Sequence, residues 1–239
     1  MYDIIAYVEA RWSITYSVPG MNKWLHRNGF SYKKPKGHPY KADKEQQQAF
    51  IEKYEELKKD LKPDDAIYFS DSVHPSQATK LSYGWIRKGQ DKKLETTASR
   101  TRVNIIGALR LDDIRNTVSA QYETINGQCI INHLRLVRKQ HGDKGTIFFI
   151  LDRAPYHRAE AVVQEAQKLN ITLDYLPPYS PNLNPIERLW KVMSEQVRNN
   201  RFFKSAKDFR SEIERFFKQI LPNIGDTLTG RINDNFQML

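Results

Sequence analysis

Apolar and polar positions recur along this chain with two periods, and the change of period divides it. Apolar residues return every three to four positions over 2–12. They do so again after Ser17-Val-Pro-Gly20, where Met21, Trp24 and Leu25 share a face before Gly29. Over 43–61, Phe50, Tyr54, Leu57 and Leu61 form one stripe. This spacing predicts helices. From about Pro63 the pattern shortens. Apolar or alternating runs at 66–71, 82–88, 103–111, 117–124, 146–152 and 171–176 predict strands. Helical spacing returns at 127–141, 157–169, 185–199 and 205–220, the last with Ala206, Phe209, Ile213, Phe216, Phe217 and Ile220 in register. Thr146-Ile-Phe-Phe-Ile-Leu151 is apolar without alternation, as a central strand covered on both faces requires. Strands first, then alternating helix and strand, predict an α/β domain with a mixed sheet. The expected organisation is a helical front segment over 1–34, a basic linker and helix over 35–62, and one larger domain over 63–239.

Composition narrows the partners. The 239 residues suffice for one full-sized core with a small appendage. The net charge of +10 points to a polyanion, although a plain basic soluble protein would carry it too. The single cysteine, Cys129, excludes an intramolecular disulfide and a cysteine-built zinc site, and its helical apolar context predicts a core position. No apolar run approaches the roughly 18 residues of a membrane span, and the N-terminus lacks the layout of a signal peptide. A cytoplasmic setting without membrane contact is the expectation. Two short helices in the front segment fit a helix-turn-helix with Lys23 and Arg27 outward, and equally fit plain packing helices. The linker Lys33-Lys-Pro-Lys-Gly-His-Pro39 puts Lys33, Lys34 and Lys36 on a proline-extended stretch. It can track a phosphate backbone or serve as a solvated tether.

Three acids stand out by position. Asp71 and Asp152 each close an apolar strand-like run, at the strand edge where open α/β sheets bind ligands. A strand-ending aspartate also commonly just begins a turn. Glu187 follows Asp152 after 34 intervening residues. Asn184-Pro-Ile-Glu187 reads as a capping box, with Asn at the N-cap and Glu at N3. On that helix Ile186, Leu189, Trp190, Met193 and Val197 form the apolar stripe, whereas Glu187, Lys191, Ser194 and Arg198 share a polar ridge. The ridge suits a metal ligand beside a phosphate track, and it suits a solvated face.

The run Leu176-Pro-Pro-Tyr-Ser-Pro-Asn-Leu-Asn-Pro-Ile-Glu-Arg-Leu-Trp190 decides between these readings. It resembles the third-acid signature of the DDE transposases of the mariner superfamily, and among them the bacterial insertion-sequence family called IS-six-thirty. Leu151-Asp-Arg-Ala-Pro-Tyr-His157 resembles the second-acid motif, with Arg153 where Asn is common. Ser70-Asp71-Ser72 resembles the first, with Ser72 where Glu is common. Tyr83-Gly-Trp-Ile-Arg-Lys-Gly89 resembles the strand that follows. Tyr16-Ser-Val-Pro-Gly-Met and Gly29-Phe-Ser-Tyr-Lys-Lys-Pro resemble the end of the paired helix-turn-helix region, so most of that reader is expected to lie outside this chain.

The resemblance implies a ribonuclease H-like mixed sheet flanked by helices, with a partial helix-turn-helix in front. It implies a metal-dependent transposase in which Asp71, Asp152 and Glu187 hold two Mg²⁺ ions, replaceable by Mn²⁺. One ion would activate a water against a phosphodiester at a transposon end and the other would stabilise the leaving 3′ oxygen. The freed 3′-OH would then attack target DNA. Double-stranded DNA, a TA target and a dimer or larger synaptic complex are implied with it. Expected DNA contacts are Lys23, Arg27, Lys33, Lys34, Lys36, Trp85, Arg87, Lys88, Arg153, His157, Lys191 and Arg198. Two alternatives stand: a DNA-binding remnant that no longer transposes, and another ribonuclease H-like DNA endonuclease.

Overall fold

The computed structural model describes residues 1–33 and 41–238. The chain forms two compact units, Met1–His38 and Pro39–Leu239. In the first, α1 (Tyr2–Trp12) ends at Ser13, whose left-handed backbone returns its N–H to the Glu9 carbonyl. The second helix, α2 (Val18–Arg27), starts where the Ser17 side chain accepts the Gly20 N–H and Pro19 occupies the first turn. Met21 is buried, but Trp24 is exposed, so the apolar stripe of α2 is only partly covered.

The second unit opens with α3 (Lys44–Asp60), capped by the Asp43 carboxylate. Its sheet has five strands: β1 (Ala66–Val73), β2 (Asn104–Leu109), β3 (Val118–Tyr122), β4 (Ile147–Leu151) and β5 (Ile171–Tyr175). They lie in the order β3-β2-β1-β4-β5. The pairs β1–β2 and β2–β3 are antiparallel, whereas β1–β4 and β4–β5 are parallel. Apolar β4 is central on the parallel side, as its unbroken run requires.

Helices α4 (Gly127–His141) and α5 (Glu160–Lys168) cover one face. Leu134, Val137 and Val162 there meet Ile106, Ile147 and Phe149. On the other face α6 (Ile186–Val197) and α7 (Ala206–Arg215) bury Leu189, Met193, Phe209 and Ile213 against Ile105 and Leu109. Under α3, Phe50 and Tyr54 pack with Phe69 and Phe236. Each such fully buried side chain contributes roughly 1.5–3 kcal/mol. Cys129 is only half-buried, at the margin of the α4 core, and its thiol donates to the Thr124 carbonyl. No helix among the described residues is long and apolar enough to cross a membrane.

Two predicted elements differ. The run 82–88 is not a strand: it is irregular, and Tyr83, Trp85 and Ile86 are exposed. Its alternation mimics a strand, but none of the five paired strands includes it, and Ser82 instead exchanges hydrogen bonds with the Asn200 side chain. The run lies in an arm whose two sides are joined by Gln77 N–H to Thr101 O and Thr79 N–H to Thr97 O. The predicted helix 205–220 breaks after α7 into a wider turn over Phe216–Ile220, where the Leu221 N–H reaches the Phe216 carbonyl five residues back. A short α-helical turn, α8 (Leu221–Ile224), follows. Pro222 has no N–H to give the Lys218 carbonyl, so ordinary helical bonding cannot continue there.

Candidate active site

Topology brings the acids together. Phe69 of β1 faces Ile150 of β4, so two residues further on Asp71 and Asp152 stand at the same level of neighbouring parallel strands. Glu187 lies in the first turn of α6, which packs against β1 and β2. The three carboxylates line one cleft of about 440 Å³, walled also by Arg153, Ala154, Asn184 and the proline-rich run from Leu176 to Pro181. A larger groove of about 600 Å³ runs along β3 and α7, but it holds none of the three acids.

The proline-rich run is anchored from two sides. Buried Gln47 of α3 donates to the Ser180 hydroxyl and accepts from the Asn182 amide. The Asn184 amide donates to the Ser70 carbonyl, next to Asp71. That bond corrects the expected capping box. No side chain caps α6, and Pro185 occupies the cap position. The Asn184 carbonyl takes the Glu187 N–H while its side chain ties the helix start to β1.

The acids differ in charge behaviour. Burial pushes the Asp71 carboxyl up to about 7, and Glu187 and, less, Asp152 add repulsion; the Trp190 and Ser72 N–H groups oppose. Trp190 Nε1 donates to Asp71 Oδ2 at 3.0 Å. Asp152 is held below the usual carboxylate range chiefly by His157, whose Nδ1 lies 2.7 Å from Oδ1; burial opposes, and the Ala154 N–H adds to the lowering. Burial raises Glu187, and Lys191 partly offsets it. Clustered carboxylates repel until a cation neutralises them, and their hard oxygens suit a divalent ion. Among the described residues no three acidic, His or Cys side chains are grouped tightly enough to form a ready-made cage. The acids therefore share a cleft, not a closed coordination shell.

The expected DNA contacts distribute unevenly. His157 is 4% exposed, with its ring turned onto Asp152. Arg153 lines the cleft, with Nε anchored on the Leu176 carbonyl. Lys191 is exposed beside Glu187 in an adjoining hollow. Arg198 is half-buried and turned to the Ser76 hydroxyl, so it leaves the polar ridge that the spacing predicts. Trp85, Arg87 and Lys88 are exposed on the arm, and Lys23, Arg27 and Lys33 are exposed in the first unit. Lys34 and Lys36 lie outside the described residues. Trp190, read from its spacing as core alone, also contacts an acid. The available signal was that a buried indole N–H needs an acceptor.

A family model described as DDE superfamily endonuclease matches residues 66–210. One described as winged helix-turn helix matches residues 2–54, reaching into α3. An uncharacterized protein, y4pE/y4sA of Sinorhizobium fredii (strain NBRC 101917 / NGR234), is 38% identical over 78 residues, 32% of this chain and 54% of that protein. The insertion element IS630 uncharacterized 39 kDa protein of Shigella sonnei is 21% identical over 164 residues, 65% of this chain and 46% of that protein. The chain thus spans about half the length of the curated relatives it matches. In fold it is similar to the mariner Mos1 paired end complex with Mg, at a TM-score of 0.64 and 17% identity over 97% of this chain and 74% of that one. The mixed sheet flanked by helices is accordingly ribonuclease H-like.

Proposed function

Because the chain belongs to the DDE superfamily endonuclease family, we propose that it is a transposase that cleaves DNA at transposon ends and joins the freed ends to target DNA. Asp71, Asp152 and Glu187 are its catalytic carboxylates. They hold two Mg²⁺ ions, for which Mn²⁺ substitutes. The observation that supports this reading is the meeting of three acids from β1, β4 and α6 in one cleft. Burial, with Glu187 and Asp152 adding repulsion, raises Asp71 there.

Bound divalent cations supply the charge that activates water and stabilises a leaving 3′ oxygen. The chain's own residues orient the ligands. His157 and the Ala154 N–H occupy Asp152 Oδ1, which leaves Oδ2 for a cation. Trp190 occupies Asp71 Oδ2 in the same way. Arg153 and Lys191 flank the acids and can grip phosphate oxygens as the backbone passes. Exposed Trp85, Arg87 and Lys88 supply a stacking and charged contact further along the DNA. Lys23, Arg27 and Lys33 add contacts from the first unit. The structural relative is a paired end complex with Mg, which supports action on two DNA ends by at least two copies.

The test is a cleavage and joining assay on labelled duplex with Mg²⁺. Wild type should give both nicked and joined products. Asp152→Ala should give neither, while binding DNA as well as wild type or slightly better, since a charge repelling phosphate is gone. Cleavage by that variant at the wild-type rate overturns the site. Nicks without joined products favour the endonuclease alternative.

A further inference from the structure

Trp190 stands one turn after Glu187 on α6, on the stripe that faces the sheet, and is 4% exposed. Its ring packs edge-on against Phe217. A core role accounts for the ring but not for where its N–H goes. That N–H donates to Asp71 Oδ2 at 3.0 Å, across 119 residues of sequence. The strand beneath is cut to fit. Gly107 of β2 is the register partner of Asp71. A Cβ there would lie 2.5 Å from Trp190 Cη2 and 3.1 Å from Cζ2. The indole lies where residue 107 has no side chain.

We propose that Trp190 is a positioning residue of the cation site: its N–H, seated over Gly107, fixes the Asp71 carboxylate relative to Glu187 on the same helix. This rests on the reading of the three acids as cation ligands. An N–H to carboxylate bond is charge-assisted and directional. It commits one oxygen of Asp71, a residue that lines the cleft. Because donor and third acid share one rigid turn, the first and third ligands are spaced by α6 and not by loops. Partners of this kind orient metal ligands, and losing one typically costs 10–100-fold in metal affinity or activity.

A ring in a core and a donor to an acid make different demands. Replacing Trp190 by 3-benzothienylalanine keeps both fused rings and puts sulfur where the N–H is. Mn²⁺ binding to the DNA-free protein is followed by electron paramagnetic resonance, with thermal melting in parallel. The expected result is near-wild-type melting with Mn²⁺ affinity about 10–100-fold weaker. Wild-type affinity in the replaced protein overturns the proposal. If wild type binds Mn²⁺ no more tightly than Glu187→Gln does, the cation site itself is wrong, which is a separate failure.

A second measurement needs no altered tryptophan. The four tryptophans give four indole N–H signals in a ¹H–¹⁵N spectrum, and Trp12, Trp24 and Trp85 are exposed. At pH 8, where Asp71 is ionised, Asp71→Asn should move the Trp190 signal upfield as its charged acceptor is lost, and Asp152→Asn should leave it in place. An unmoved signal in Asp71→Asn overturns the proposal, whatever the fate of the replaced protein.

Discussion

Asp71, two residues before the end of β1, and Asp152, just past the end of β4, stand at the same level of neighbouring parallel strands, yet their surroundings are opposite. Burial, with Glu187 beside it, pushes the Asp71 carboxyl up to about 7 against the Trp190 and Ser72 N–H groups. Asp152 is 53% exposed and takes His157 and the Ala154 N–H on one oxygen; its carboxyl falls below the usual range. The partners of Asp152 lie two and five residues away, so a short motif carries its environment with it. Asp71 has the Ser72 N–H close by, but its indole donor and its acidic neighbour Glu187 come from α6, and only the fold assembles them. The two aspartates therefore differ in one respect above all: Asp152 is set locally and Asp71 mainly by the fold. A cation that needs both must enter between a carboxyl that resists ionisation and one that favours it.

The largest expected effect treats the two alike. Asp71→Asn, Asp152→Asn and Glu187→Gln should each lower Mg²⁺-dependent cleavage at least a thousandfold, about 4 kcal/mol in the barrier. Single-turnover rates on labelled duplex measure it. A variant within tenfold of wild type would remove that residue from the ligand set.

The next prediction separates them, in the metal-free protein. Folded Asp71 titrates near 7, against an ordinary value of 3.8. Below pH 3.8 both folded and unfolded chains hold the proton and the site costs nothing. Between 3.8 and 7 only the folded chain holds it, so stability falls as pH rises, and the penalty is complete above 7. Asp152 has the opposite sign. Its contribution is full above 3.8 and is lost as pH falls through its lowered folded value. Relative to wild type, Asp71→Asn should gain stability from pH 4 to 7, on the order of a few kcal/mol. Asp152→Asn should lose stability over the range where wild-type Asp152 is charged. Urea titrations at pH 4, 5.5 and 7 in EDTA check both; parallel curves would erase the contrast.

A smaller effect tests the enclosed flank by shape alone. Gly107→Ala forces a Cβ against the indole and should destabilise by about 1–3 kcal/mol. Gly84→Ala, with nothing within 4 Å of the added carbon, should stay within about 0.5 kcal/mol. Equal melting points for the two variants would mean that the indole moves aside freely.

The same division between local and long-range causes sets what was legible in the sequence. The helix 127–141 and the five strands that pair were visible as periodicity, because their apolar faces are the ones the sheet buries. Asp152 and Glu187 stood out because each sits where its element ends or begins, and Asp71 because it closes an apolar run, although β1 continues to Val73. The 82–88 run misled because alternation reports a pattern of side chains and not a partner strand, and here no strand forms. Asn184 misled because an amide beside a helix start can cap it or reach across, and Ser70 lies across. His157 at a helix start fits a phosphate contact or a structural hydrogen bond, and Arg198 fits an exposed polar ridge. The His157 contact to Asp152 lies within one short motif, whereas the turn of Arg198 toward Ser76 depends on a neighbour that no local pattern names.

The smallest expected effect extends the comparison to the basic residues. Arg87 and Lys88 are exposed on the arm, whereas Arg198 is half-buried with its guanidinium on Ser76. Only the first pair is free to displace counterions from DNA. If the whole protein neutralises about six phosphates, log K should fall with log salt at a slope of roughly −5. Removing two contacts in an Arg87→Ala, Lys88→Ala double variant should make that slope shallower by about 2. The loss should be similar for end-sequence and scrambled duplex, since backbone contacts carry no sequence information. Arg198→Ala should leave the slope unchanged and lower thermal stability, because what it loses is the Ser76 tie between the end of α6 and the base of the arm. A titration of both duplexes across a salt series reads all three proteins. An Arg198→Ala slope that drops with the arm variant would put Arg198 back on the DNA-facing ridge. A wild-type slope near zero would mean that the +10 charge is a solvated surface with no polyanion to meet.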